Sequence, residues 1–133
     1  MAAALTGSLL DTSVLIAQDP EASLELPASA AISVVSLGEL RAGVLLARDG
    51  AVRTSRRRRM EAVRRAFLPL AVDEPVADHY GRLLAAARAE RRTTKATDLL
   101  IVATAAATGR TLHTLDSAQA GLATMGRVPV TEP

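Results

Sequence analysis

The chain has 133 residues, 49% of them apolar and 23% charged, which gives room for one domain with an ordinary core. It contains no Cys, so a disulfide framework, a thiolate metal site and a thiol nucleophile are excluded together, and any metal chemistry must use carboxylates or the two His. The formal net charge of +2 is too small to argue by itself for a polyanionic partner, yet residues 41–65 hold nine Arg against only Asp49 and Glu61. Fifteen of the sixteen basic residues are Arg, which fits either selection for phosphate binding or a compositional bias of the genome. The first twenty residues carry no basic leader and Asp11 interrupts their apolar stretch, which argues against a signal peptide. No apolar run approaches the roughly 18 residues of a membrane span. The expectation is a soluble, cytoplasmic protein with no membrane partner.

In chain order, short β-like runs alternate with helix-like runs, the pattern of an α/β fold with a mostly parallel sheet and helices on both faces. Residues 8–10 read as a first strand ending at Asp11, 12–18 as a short helix or turn, and Asp19, Pro20 and Pro27 as markers of a loop. Residues 31–35 read as a second strand. Ser36-Leu37-Gly38-Glu39 then fits a capping box, with Leu40, Val44 and Leu45 on one helical face and Gly50 closing the helix. A further helix over 54–67 buries Met60, Val63 and Phe67 and leaves Arg56, Arg57, Arg58, Arg59 and Arg64 mostly outside. Residues 68–72 form a third strand. Asp73-Glu74-Pro75 opens an amphipathic helix with Val76, Tyr80, Leu83, Leu84 and Ala87 at helical spacing. After a polar connector over 91–95, Thr97 is expected to cap a helix over 98–107 that is apolar on nearly every side. Gly109 ends it, 111–114 form a fourth strand and 128–130 a last edge strand. No repeat or linker divides the chain, so one domain over 1–133 is expected.

Four acids fall where ligands bind in open α/β sheets, outside the carboxyl ends of the strands. Asp11 ends the first strand, Glu39 lies in the first turn after the second, Asp98 starts the apolar helix and Asp116 follows the fourth strand. If the strands are parallel, all four face one edge. Two carboxylates about 4 Å apart repel by roughly 4 kcal/mol at an effective dielectric near 20, so a cation should offset them. An all-oxygen set suits Mg²⁺ or Mn²⁺, and a divalent ion among carboxylates suits phosphodiester hydrolysis. Each acid also has a structural reading. Glu39 completes a capping box, Asp98 complements a helix dipole, and Asp116 is a turn or N-cap residue. Asp11, flanked by Leu9-Leu10 and Val14-Leu15-Ile16, is the hardest to explain without a partner.

Four motifs in order then carry a resemblance. Leu9-Leu10-Asp11-Thr12-Ser13-Val14-Leu15-Ile16, the stretch 32–43 around Ser36 and Glu39, Thr97-Asp98-Leu99-Leu100-Ile101-Val102-Ala103-Thr104-Ala105, and the shorter Thr114-Leu115-Asp116 resemble the motifs of PIN-domain ribonucleases, and the second closely resembles its form in the VapC-type toxins of toxin–antitoxin pairs. The resemblance spans almost the whole chain. It implies a metal-dependent endoribonuclease using Mg²⁺ or Mn²⁺, with Asp11, Glu39, Asp98 and Asp116 as the acidic, metal-facing site and Asp11 and Asp98 as direct ligands. Thr12, Ser13 and Thr114 would support the carboxylates or water through their hydroxyls. It also implies RNA as substrate, a homodimer, and a cognate antitoxin that covers the acidic cleft. Family members often carry another acid or Asn and an aromatic after the fourth motif; Ser117-Ala118-Gln119-Ala120-Gly121 departs from this.

His79 and His113 lack a second His at metal spacing and read as structural residues, with His113 a minor candidate for supporting the site. Tyr80 and Phe67 are the only aromatics and fit core stripes, which argues against base stacking. The run 56–59 reads as a solvated helix face or a phosphate track. A phosphoacceptor receiver domain would need a Lys near the last strand, and the only Lys is Lys95. The remaining alternatives are a PIN-like nuclease acting on DNA and a non-catalytic metal- or phosphate-binding α/β module. Beyond Leu40, Val44 and Leu45, apolar Leu37, Leu46 and Ala47 exceed what one sheet face covers, so some of that surface is expected to meet a partner helix.

Overall fold

The computed structural model describes residues 7–17 and 29–132. The loop expected around Asp19, Pro20 and Pro27 lies outside the described residues. Five strands, β1 (Ser8–Leu10), β2 (Ala30–Ser33), β3 (Leu68–Leu70), β4 (Thr111–His113) and β5 (Val130–Thr131), form one sheet in the order β3-β2-β1-β4-β5. Every pairing is parallel, with Leu9 opposite Ala31 and Leu112, and Leu10 opposite His113. The described helices are α1 (Thr12–Ala17), α2 (Val34–Leu46), α3 (Gly50–Ala66), α4 (Glu74–Ala89), α5 (Ala96–Thr108) and α6 (Ser117–Met125).

The two-residue period of the strands divides the core. Leu9, Ala31 and Leu112 face Val76, Leu83, Leu99, Val102 and Leu122 from α4, α5 and α6. Leu10 and Ile32 face the other way, onto Leu15, Leu40, Val44, Met60, Val63 and Phe67 from α1, α2, α3 and the residue after it. Helices therefore cover both sheet faces, as the alternating pattern predicts. The chain runs outward from β1 through β2 to β3 and then returns to place β4 on the other side of β1. The crevice at the carboxyl ends of β1 and β4 is thus the switch point of the sheet, where such folds bind ligands.

Several boundaries differ from expectation for local reasons. Ser33, not Ser36, caps α2: its hydroxyl accepts from the Val35 N–H, so β2 ends earlier and Ser36 and Glu39 sit inside the helix. The capping-box reading of Ser36 and Glu39 is thereby overturned. Gly50 does not close α2 but opens α3, because Asp49 accepts from the Ala51 and Val52 N–H groups as its N-cap. Lys95 rather than Thr97 occupies the N-cap of α5 and makes no side-chain cap. Gly109 ends α5 in the left-handed region at φ 64°, as its position predicts. The helix α6 is not anticipated by the strand pattern; Asp116 caps it through Ala118 and Gln119. Arg56, though exposed, donates to the Gly43 carbonyl at 2.7 Å and so ties α3 to α2.

Candidate active site

Asp11 leaves the end of β1 with 5% of its surface exposed. A carboxylate this deep has to be satisfied, and three side chains do it. Oδ2 accepts from the Ser13 hydroxyl at 2.7 Å and from the Thr114 hydroxyl at 2.8 Å, and Oδ1 accepts from Gln119 Nε2 at 3.3 Å. Its own N–H donates to the His113 carbonyl, locking it to the β1–β4 crevice. Ser13 and Thr114, expected to support the carboxylates, do so directly. Each also receives a backbone N–H, from Leu115 and Asp116 respectively, which fixes the turn after β4 against the start of α1.

Glu39 lies on α2, half-buried, where its Oε1 accepts from Thr12 Oγ1 at 2.7 Å. A hydroxyl has one hydrogen. With the Thr12 hydrogen on Glu39, the 2.8 Å contact between Thr12 and the buried Ser36 has Ser36 as the donor. Neighbouring residues Asp11 and Thr12 thus reach two different acids' surroundings, and Glu39 is held next to the end of β1 by a relay of hydroxyls.

Asp98 sits in the first turn of α5 and lines an open cleft together with Asp116. Burial pushes the Asp98 carboxyl above its usual range, the Asp11 carboxylate adds to the rise, Lys95 opposes it and Asp116 adds a smaller push. Asp11, Asp98 and Asp116 are therefore within electrostatic reach of one another at the sheet edge. Asp116 also has the plain role foreseen for it, since its Oδ1 caps α6. His113 donates no ligand here. It is half-buried on β4, and burial holds its imidazole below the usual range. His79 lies on α4, away from the acids' hydrogen-bond network.

Gln119 is the site residue that the motifs leave out. It is buried on α6, and its Nε2 bridges Asp11 Oδ1 and the Asp98 backbone carbonyl, the latter at 3.1 Å. Its Oε1 is buried without a hydrogen-bond partner. Flipping the amide would set that oxygen against a carboxylate and a carbonyl, so this orientation is the consistent one. The signal in the sequence was its place three residues after Asp116, where a helical turn carries it back toward the crevice.

The donor set fits a hard divalent cation by chemistry: oxygen atoms only, a surplus of negative charge, and a carboxyl whose proton affinity is raised by its neighbours. Among the described residues, no three His, Asp or Glu side chains converge closely enough to hold an ion between them.

The PIN domain family pattern matches residues 8–124. The chain is 45% identical over 100 residues to Ribonuclease VapC8 of Mycobacterium tuberculosis, covering 73% of this chain and 88% of that protein. It is 37% identical over 91 residues to Ribonuclease VapC4 of the same species, covering 68% and 69%. Its fold superimposes on the crystal structure of VapBC-5 from Mycobacterium tuberculosis, a member of the VapBC family of toxin–antitoxin systems, with a TM-score of 0.82 and 34% identity over 96% of this chain and 99% of that one. Matched by the family pattern over most of its length and by these VapC relatives, this chain belongs to the PIN domain family, in its VapC-type branch.

Proposed function

We propose that the protein is the toxin of a toxin–antitoxin pair, an endoribonuclease that hydrolyses RNA phosphodiester bonds at this acidic crevice with Mg²⁺ or Mn²⁺. The observation that carries the reading is Asp11, buried and held by Ser13, Thr114 and Gln119, within electrostatic reach of an Asp98 whose carboxyl is pushed up first by burial and then by the Asp11 charge. Two carboxylates are kept together at a cost that a divalent cation would relieve. Asp11 and Asp98 would hold the ion, with Glu39 and Asp116 completing the acidic set through water. When bound, it supplies charge neutralisation for the phosphate and an acidified water. The side chains do the rest: Ser13 and Thr114 keep both hydroxyl hydrogens on Asp11 Oδ2, fixing that carboxylate as an acceptor. Gln119 sets the spacing of β1 and α5, and Thr12 keeps Glu39 turned inward.

VapBC-5, to which this chain is similar, is named as part of a toxin–antitoxin system, which supports a cognate antitoxin as partner here. A homodimer belongs to the same reading. Exposed Ile16, Leu45 and Leu46 offer apolar surface near Glu39 for such contacts. The test is cleavage of a structured RNA by the purified protein with Mg²⁺ or Mn²⁺, compared with Asp11→Asn and with DNA of the same sequence. Cleavage of RNA lost in the variant is expected. Equal cleavage by both proteins would remove the site, and preference for DNA would favour the DNA-nuclease alternative.

A further inference from the structure

Beside the acids lies a cleft of about 590 Å³, within the usual size of a ligand site. Its lining carries both signs of charge, Asp98 and Asp116 together with Arg92, Thr93, Thr94 and Lys95. We infer that the basic part of this lining is a phosphate subsite, which holds the RNA backbone phosphate next to the one being cut. The inference rests on the nuclease reading above and adds to it the residues that seat the strand.

The sequence places these four side chains together by ending α4 sharply. Arg91 takes a left-handed backbone at φ 57°, and the Arg91 and Arg92 N–H groups close α4 on the Arg88 and Ala87 carbonyls. Residues 92–95 then run without helix or strand to the start of α5. Lys95 occupies the N-cap without capping, so the first N–H groups of the 13-residue α5 receive no side-chain acceptor there, and the positive end of its dipole opens at the cleft. A Ser, Thr or Asp at that position would have satisfied them from within; a Lys leaves them for an anion from outside.

The cations are available. Arg92 makes one ion pair, with Glu90 at 3.4 Å between two substantially exposed side chains, which contributes little. Its guanidinium lies across the cleft against α6, where a Cβ at Gly121 would meet Arg92 Nη1 at 3.6 Å. Among the described residues, no hydrogen bond or ion pair is made by the side chains of Thr93, Thr94 or Lys95, although Lys95 acts electrostatically on Asp98. Two cations, two free hydroxyls and an uncapped helix start therefore face one cavity.

The presence of both signs of charge in one cleft decides the class of ligand. A lone phosphate could use only the basic residues, and a metal ion only the acids. A strand with successive phosphates satisfies both, one group at the ion-bearing acids and the next on Arg92 and Lys95. The arginines of α3 do not offer the same arrangement, since Arg56 is engaged with the Gly43 carbonyl and lines a different, partly apolar pocket with Ile16 and Leu40.

Binding of a fluorescent single-stranded RNA is measured with full-length protein in EDTA, which separates binding from cleavage without altering the acids, over a series of salt concentrations. Introducing Arg92→Gln and Lys95→Gln together should weaken binding about tenfold at low salt and lower the slope of log affinity against log salt by about 0.7, the value for one phosphate no longer neutralised. Thr93→Ala with Thr94→Ala, which leaves the charge intact, should weaken binding several-fold with the slope retained. An unchanged affinity and slope in the Arg92 and Lys95 variant, confirmed folded by circular dichroism, would overturn the subsite. Cleavage by wild-type protein is scored separately: failure to cut RNA would end the nuclease reading, while the salt series would still report on the basic residues.

Discussion

The Gln119 amide donates to Asp11 Oδ1 at 3.3 Å while its own Oε1 stays buried without a partner. The second Nε2 hydrogen goes to the Asp98 carbonyl, so one side chain sets the distance between the end of β1 and the first turn of α5. Gln119→Leu removes both bonds and also removes the unpartnered oxygen. Those effects oppose each other at about 1–3 kcal/mol each, so the melting temperature should change little. Cleavage should fall about 10- to 100-fold, the usual effect of losing a group that orients a ligand carboxylate. Wild-type single-turnover rates in Gln119→Leu would remove this residue from the site.

Asp11→Asn keeps the size of the side chain, and its new amide can still meet the rotatable Ser13 and Thr114 hydroxyls while its oxygen faces Gln119. The fold should therefore survive, with a loss of about 1 kcal/mol at most. Asp98→Asn, half-exposed, should cost still less. Both should reduce RNA cleavage to background. Cleavage at wild-type rates by either folded variant would take that acid out of the catalytic set.

Much of this was legible because the strongest signals were local. The four acids at strand ends depend only on the α/β alternation, and the resulting sheet edge does gather Asp11, Asp98 and Asp116. Ser36 was misread because Ser-x-x-Glu describes a cap and a buried relay equally well. Only the tertiary contact with Thr12, 24 residues away, separates them. Asp116 reads equally as a turn or an N-cap residue, and only its carboxylate on the Ala118 and Gln119 N–H groups decides for the cap of α6. Gln119 is harder to single out: its place one turn after Asp116 carries it toward the crevice, but its two acceptors are 108 and 21 residues away, and no periodicity records such distances.

The raised Asp98 pKa gives a pH dependence whose sign is fixed. Its folded-state pKa lies above the ordinary aspartate value of 3.8, so the folded protein holds this proton more tightly than the unfolded chain does. Stability from this group is present below that ordinary value and is lost as pH rises through the folded pKa. Asp98→Asn cannot ionise and escapes the loss. Metal-free melting temperatures should therefore favour Asp98→Asn over the wild type increasingly as pH rises from about 4 toward neutrality. A constant difference across that range would mean that the Asp98 carboxyl is not destabilised by its surroundings.

Mn²⁺ should reverse that order near neutral pH. Binding to the folded state alone stabilises it by about 2.7 kcal/mol at a concentration one hundred times the dissociation constant, and it also removes the repulsion between Asp98 and Asp11. The wild type should melt several degrees higher with metal, and Asp11→Asn and Asp98→Asn should shift much less. Equal shifts in all three proteins would place the bound ion elsewhere.

The apolar stripe of α2 divides into a buried and an exposed part, and the proposed antitoxin contact is tested on the exposed part. Leu40, Val44 and Ala47 are buried in the core, whereas Leu45 and Leu46 are 68% and 76% exposed. Leu37 is half-buried beside the core, so the surface left for a partner is narrower than the sequence pattern suggests. Ile16 on α1 is also exposed and shares a pocket with Glu39, Leu40 and Gly43. An amphipathic partner helix laid over Leu45, Leu46 and Ile16 would bury this surface and end beside the acids, where a basic side chain could meet Glu39. Leu45→Glu and Leu46→Glu change only exposed positions, so the fold should hold, and co-purification with the product of the neighbouring reading frame should fall at least tenfold. Val44→Glu is no test, because a charge at a fully buried position would unfold the protein before any partner is lost. Undiminished pull-down by folded Leu45→Glu and Leu46→Glu proteins would show that the antitoxin reaches the crevice over another surface.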